Sequence, residues 1–160
     1  MTTYSKTIET PIGILKLTSD EKSLKSILFD ADIIEDTPEL PEVLIMAQKQ
    51  LEEYFTGSRH HFDLPLDPEG TVFQLQVWKL LSDVHYGQTR SYLEIARRLG
   101  SENSTRAVGM ANGRNPIPVI IPCHRIIGHN GKLTGYAGGL ERKKWLLLHE
   151  QQNSGNGQLF

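Results

Sequence analysis

Asn115-Pro116-Ile117-Pro118-Val119-Ile120-Ile121-Pro122-Cys123-His124-Arg125-Ile126-Ile127 holds the single cysteine of a 160-residue chain. Pro116 and Pro118 with the branched apolar run predict an extended arm that cannot continue a helix. Pro122 presets φ for a tight turn and is favoured at the first position of a helix, so a short helical turn is expected with the thiol in its first turn. Unpaired backbone N–H groups there, together with His124 and Arg125, favour a thiolate. The opposing reading is an inert cysteine in an apolar core.

Three helices are expected upstream of this arm. Thr71 caps one through about Val84, with Phe73, Val77, Leu80 and Leu81 on one stripe. Ser91 caps a second, Tyr92 to Leu99, stopped by Gly100. A third starts at Ser104 or Thr105 and runs to about Gly113, so the last two have the outline of a helix-turn-helix. The third reads Arg106-Ala107-Val108-Gly109-Met110-Ala111-Asn112-Gly113-Arg114. Glycine weakens a helix, so its small residues suggest that another surface approaches closely, either a neighbouring helix or, given the flanking arginines, nucleic acid. Downstream, Ile126 to Leu133 carries Asn130-Gly131 and predicts a β-hairpin. A glycine-rich loop, Thr134 to Gly139, follows, and then an amphipathic helix, Leu140 to Glu150, expected to bury Trp145, Leu146 and Leu148.

The first 70 residues differ in kind. Ile14-Leu15-Lys16-Leu17-Thr18 alternates apolar with polar, and Leu24 to Phe29 is a second strand, so an antiparallel meander is expected. Pro38 to Thr56 reads as an amphipathic helix, and His60 to Leu64 as a further strand. Pro65-Leu66-Asp67-Pro68-Glu69-Gly70 is a linker. Charge divides at the same place: residues 1–70 hold 6 Lys/Arg against 14 Asp/Glu, whereas residues 71–150 hold 11 against 5. A polyanion would bind the second region despite the overall charge of −2. The expected organisation is a domain at 1–70, a second at 71–150, and a disordered tail at 151–160. One cysteine excludes an internal disulfide and a cysteine-rich zinc site. No apolar run suits a signal peptide or a membrane span, and a cytoplasmic location is expected.

Ile121-Pro122-Cys123-His124-Arg125-Ile126, with Arg106-Ala107-Val108-Gly109 and Asn115-Pro116 before it and Gly135-Tyr136-Ala137-Gly138-Gly139-Leu140 and His149-Glu150 after it, resembles the O6-alkylguanine-DNA alkyltransferases, the methylated-DNA–protein-cysteine methyltransferases, most closely the bacterial constitutive type. The likeness covers residues 71–150 and, more loosely, the first 70. It implies an α/β (α+β) protein: a small ribonuclease H-like amino-terminal domain followed by a mainly helical, winged helix-turn-helix-like domain. It also implies irreversible, single-turnover transfer of an alkyl group from O6-alkylguanine in DNA to Cys123, with O4-alkylthymine left open as a second substrate. Under this resemblance His124 takes the thiol proton through a water, Glu150 orients the imidazole, and Asn115 holds the turn. Tyr92 hydrogen-bonds the flipped base, with Ile126, Tyr136, Ala137 and Gly138 lining its pocket. Backbone carbonyls near Cys123 and Ile126 accept from the guanine amino group. Ala107, Gly109, Met110, Ala111, Arg114 and Arg125 meet double-stranded DNA in the minor groove with little sequence preference, while Arg106 fills the space left by the extruded nucleotide. Ala137 stands where some members have serine. No cofactor or metal is implied, and a monomer is expected. Two rival functions are a lesion sensor that binds without transfer, against which Cys123 argues, and a Cys-His hydrolase, whose base ordinarily comes from a distant segment.

Overall fold

A computed structural model describes residues 2–155. The chain divides into two compact units, Met1–Glu69 and Gly70–Phe160.

In the first unit β1 (Tyr4–Thr10), β2 (Gly13–Ser19) and β3 (Leu24–Leu28) form an antiparallel meander in the order β1-β2-β3. The register sets Ile8 opposite Leu15 and Leu17 opposite Ile27. The alternation in β2 is what buries one face, because successive side chains point to opposite sides of a strand. Leu15 and Leu17 are buried, as are Leu24 and Ile27 of β3. Helix α1 (Glu42–Phe55) buries Val43, Leu44, Ala47, Leu51 and Tyr54. It starts four residues later than the sequence suggests, since a residue preceding proline is disfavoured in the helical region and Pro41 follows Leu40. The strand expected at His60 to Leu64 does not form. Asp63 instead pairs with a side chain, its N–H donating to Gln50 Oε1 at 2.9 Å and its carbonyl accepting from Gln50 Nε2 at 3.0 Å. Only Leu66, beyond it, bridges a strand, at Leu24.

The second unit begins with α2 (Val72–Leu81), opened by a capping box of Thr71 and Gln74 and shorter than expected by three residues. A second capping box, Ser91 with Glu94, opens α3 (Tyr92–Arg98). A 3-10 turn (Glu102–Ser104) leads into α4 (Thr105–Gly113), which packs on both α2 and α3. The two-residue strands β4 (Arg90–Ser91) and β5 (Ile126–Ile127) pair in parallel, with Arg90 opposite Ile126. This pairing joins the start of α3 to the end of the cysteine segment.

Three sequence expectations are corrected here. The Asn130-Gly131 turn closes, with Gly128 N–H donating to Lys132 O at 2.9 Å, but no second strand follows. The chain after it is held by a side chain rather than a ladder, because Lys143 Nζ takes the carbonyls of Thr134 and Gly135. The final helix, α5, runs Leu140–Asn153, so Gln151 to Asn153 are helical and Gln151 is buried; residues 156–160 of the expected tail lie outside the described residues. The buried face of α5 is Lys143, Leu146, Leu147, Glu150 and Gln151. Trp145 and Leu148 are only half-buried, and Trp145 stacks on His149 with ring centroids 4.7 Å apart.

Candidate active site

The arm before Cys123 is not extended as expected: residues 116–121 bend and turn back on themselves, and a side chain holds them in that shape. Asn115 stands in for backbone: its Oδ1 accepts from Ile117 N–H at 3.0 Å and its Nδ2 donates to Ile121 O at 2.7 Å. Ile121 N–H closes back on Ile117 O at 2.9 Å. The loop so formed carries Val119 at φ 73°, a left-handed conformation that crowds a β-branched residue and costs on the order of 1–3 kcal/mol. Full burial of Val119 and the Asn115 clamp keep it there.

Cys123 opens a 3-10 turn (Cys123–Arg125) with Pro122 at its N-cap. The thiol is almost fully buried, and burial pushes its pKa up to about 11, against the smaller downward pulls of the Asn115 amide and the Lys143 ammonium. The expected thiolate is therefore not the resting state: desolvation of the charged form outweighs the turn's N–H groups.

His124 and Glu150 meet although 26 residues apart, with His124 Nε2 donating to Glu150 Oε2 at 2.6 Å, both wholly buried. Arg125 Nε and Nη2 grip both oxygens of the same carboxylate, at 2.8 and 3.0 Å, and its Nη1 donates to Val84 O at 2.6 Å. Gly87 N–H adds a fourth bond to Glu150 at 3.2 Å. Gly87 has φ 78°, and a Cβ there would come within 2.8 Å of Ser154 Cβ, so only glycine serves. Burial alone would raise the Glu150 pKa, but the hydrogen bond from His124 and the charge and hydrogen bonds of the Arg125 guanidinium hold it well below the usual carboxylate range. Burial lowers the pKa of His124 while Glu150 pulls it the other way. With Glu150 already neutralised by Arg125, His124 rests uncharged, its Nε2 proton fixed on Glu150. Its Nδ1 is buried without a hydrogen-bond partner among the described residues and is left as the proton acceptor.

Arg125 thus serves the carboxylate and does not face a surface, correcting its expected contact with DNA. Ala111 is likewise buried, its carbonyl accepting from Trp78 Nε1 at 2.8 Å, and a Cβ on Gly109 would lie 3.8 Å from the Tyr92 ring. Those two small residues serve packing against α2 and α3. The exposed residues of α4 are Arg106, Ala107, Met110 and Gly113, which with the C-cap Arg114 recur with helical spacing and make one outward face.

Around the thiol, Tyr92 OH lies 3.5 Å from Thr134 O and 3.3 Å from Thr134 Oγ1. Burial raises the Tyr92 and Tyr136 hydroxyl pKa values, so both remain protonated donors. Ile126 is buried and its carbonyl accepts from Lys143 Nζ at 2.6 Å. The Cys123 carbonyl accepts from Ile126 N–H and from Asn112 Nδ2, so both its lone pairs are engaged. Ala137 is exposed and Gly138 buried. Sequence reasoning missed Lys143, Asn112, Gly87 and the Arg125–Glu150 pairing. The signal for the first was present: Lys143 and Glu150 lie seven apart on the face that carries Leu146 and Leu147.

A buried cysteine followed directly by a buried His-Glu pair, in the same unit as a helix-turn-helix, fits a class of cysteine-centred proteins that act on DNA. Residues 72–152 match the family described as 6-O-methylguanine DNA methyltransferase, DNA binding domain, and residues 3–68 its ribonuclease-like domain. A methylated-DNA–protein-cysteine methyltransferase of Methanosarcina barkeri is 50% identical over 94% of this chain and 98% of the relative. A constitutive one from Bacillus subtilis is 42% identical, covering 94% of this chain and 96% of its own. A crystal structure of Mycobacterium tuberculosis OGT in complex with DNA superposes with a TM-score of 0.85 at 44% identity, covering 93% of both chains. The chain belongs to the methylated-DNA–protein-cysteine methyltransferase family of DNA-repair enzymes.

Proposed function

We propose that this chain removes the alkyl group from O6-alkylguanine in double-stranded DNA by transferring it, once and irreversibly, to Cys123. The buried contact between His124 and Glu150, beside a neutral thiol, carries the reading. Proton transfer from Cys123 to His124, through a water, yields the thiolate and an imidazolium stabilised by Glu150. The sulfur attacks the alkyl carbon and forms a C–S bond as the C–O bond to guanine O6 breaks, and guanine leaves neutral after taking a proton by way of the Tyr92 hydroxyl. A thiol that stays protonated until substrate closes the site is protected from stray electrophiles, which suits a nucleophile used once.

The outward face of α4 supports a groove contact in which Arg106 takes the place of the extruded base and Ala107, Met110, Gly113 and Arg114 lie along the minor groove without reading sequence. The remaining lone pair of the Ile126 carbonyl is the better acceptor for the guanine amino group, since the Cys123 carbonyl already has two donors. A single thiol that must stay reduced fits the cytoplasm, and a monomer suffices because the relay is complete within one chain. Incubating the protein with duplex carrying a labelled O6-methylguanine and mapping peptides by mass tests the reading: a methyl on the Cys123 peptide supports it, and no label there refutes it.

A further inference from the structure

Asn112, in the last turn of α4, is 2% exposed and shares the buried face of the helix with Val108 and Ala111. Its side chain donates from Nδ2 to the Cys123 carbonyl at 3.3 Å, while Oδ1 is buried with no hydrogen-bond partner among the described residues. A carbonyl oxygen only accepts, so the amide nitrogen must face Cys123, and the stranded Oδ1 follows from that orientation. A buried acceptor without a partner destabilises the fold, and a leucine of similar size would avoid it. Nor does the amide cap the helix, whose Ala111 and Asn112 carbonyls accept from the backbone N–H of Arg114. What the amide does is close the Cys123 carbonyl. The Ile126 N–H occupies one lone pair of that oxygen and Asn112 the other. The neighbouring Ile126 carbonyl gives one lone pair to Lys143 Nζ at 2.6 Å and keeps one.

We propose that Asn112 is a specificity-determining residue of the transfer: by occupying the Cys123 carbonyl it leaves one acceptor instead of two for the amino group of the flipped base, so the site does not demand that group. Sites built around a substrate N–H reject the analogue that lacks it, because their buried acceptors are then left unpaired. Two open carbonyls beside the nucleophile would impose that penalty twice; here it falls on a single lone pair of Ile126. The same argument applies to an oxygen in place of the amino group. O4-alkylthymine carries a ring carbonyl at the position where O6-alkylguanine carries its amino group, and two open carbonyl oxygens would repel it. Asn112 turns one of them away. The substrate class is therefore alkylated bases with the amino group or without it, and the residue that widens the class sits on the inward side of α4.

The inference rests on Cys123 being the alkyl acceptor in a pocket that admits O6-alkylguanine, and wild-type protein controls for that: if free O6-benzylguanine does not alkylate Cys123, the proposed function fails and not this inference alone. Second-order rate constants for alkylation of Cys123 by O6-benzylguanine and by O6-benzylhypoxanthine, which lacks only the amino group, are measured for wild type and Asn112→Leu. The ratio of the two cancels any change in folding or thiol reactivity, which a merely structural role of Asn112 would impose on both substrates alike. Wild type should prefer the guanine by less than about tenfold, the most that one net hydrogen bond confers, and Asn112→Leu should raise that preference about three- to tenfold further. A variant preference less than about twofold above that of wild type overturns the proposal. A wild-type preference above about tenfold also overturns it, and this measurement decides the matter where Asn112→Leu accumulates poorly.

Discussion

Asn115→Ala should destabilise the chain by about 2–4 kcal/mol although it removes little volume. The Ile117 N–H would lose its bond to Asn115 Oδ1 at 3.0 Å, and stranding a buried donor costs roughly 1–3 kcal/mol. The Ile121 carbonyl would lose Nδ2 at 2.7 Å but keep the Cys123 N–H at 2.8 Å, so its loss is nearer the roughly 1 kcal/mol of an ordinary net hydrogen bond. The loop would also lose part of what forces Val119 to φ 73°. For a chain of 160 residues each kcal/mol moves Tm by roughly 2–4 °C, so a fall of about 4–16 °C is expected. Urea unfolding at equilibrium, followed by tryptophan fluorescence, gives the free energy directly. Asn115→Asp makes the argument sharper: it retains the acceptor for Ile117 N–H, so it should lose less stability, yet it sets a carboxylate beside the thiol and should slow alkylation more than Asn115→Ala does. An alanine variant within about 0.5 kcal/mol of wild type, the scatter of ordinary surface changes, would refute the claim that this side chain clamps the loop.

Arg106→Ala should slow repair of a lesion in duplex DNA far more than reaction with free O6-benzylguanine, since only the duplex must be opened, at a cost of roughly a few kcal/mol; parallel single-turnover rates on the two substrates decide it. Duplex affinity should fall steeply with salt and vary little with sequence, which filter binding at several ionic strengths measures. Glu150 has a depressed carboxyl pKa in the folded chain, so its stabilisation is present above the unfolded carboxylate pKa of about 4.3 and is lost as pH falls through the range below it. His124, held neutral, acts in the same direction, with its contribution lost below the unfolded histidine pKa of about 6.5. Stability should therefore decline between about pH 6 and pH 3, and Glu150→Gln, which strands Arg125, should cost roughly 3–5 kcal/mol at pH 7 and show a shallower acid limb.

Much of the fold could be read from local chemistry. The alternation in Ile14 to Thr18 gave β2, and the capping residues Thr71 and Ser91 placed the starts of α2 and α3. The spacing from Ser104 to Gly113 placed α4. What local reading missed was decided by contacts distant in sequence. Asn130-Gly131 makes its turn, but a lysine thirteen residues past Asn130 takes the carbonyls that a second strand would have paired. Asp63 had a strand's neighbours and found Gln50 instead. At the site, the resemblance named Cys123, His124, Glu150 and Asn115; the structure pairs His124 with Glu150 and sets Asn115 on the turn that precedes Cys123. The same motif put Arg125 on DNA, whereas Glu150 buries it. The thiol illustrates the limit best: its sequence neighbours suggest a lowered pKa, but burial, which no local pattern displays, moves it to about 11.

Irreversible transfer to one thiol is tested most directly by counting. A thioether on Cys123 has no acyl carbon for water to attack, and the chain has no second cysteine to relieve it. With duplex O6-methylguanine in large excess, the methyl groups removed per protein chain should rise to one and stop, with all of the label on the peptide containing Cys123. Cys123→Ser should remove none while still binding DNA. A ratio well above one, or label on any other peptide, would contradict the account.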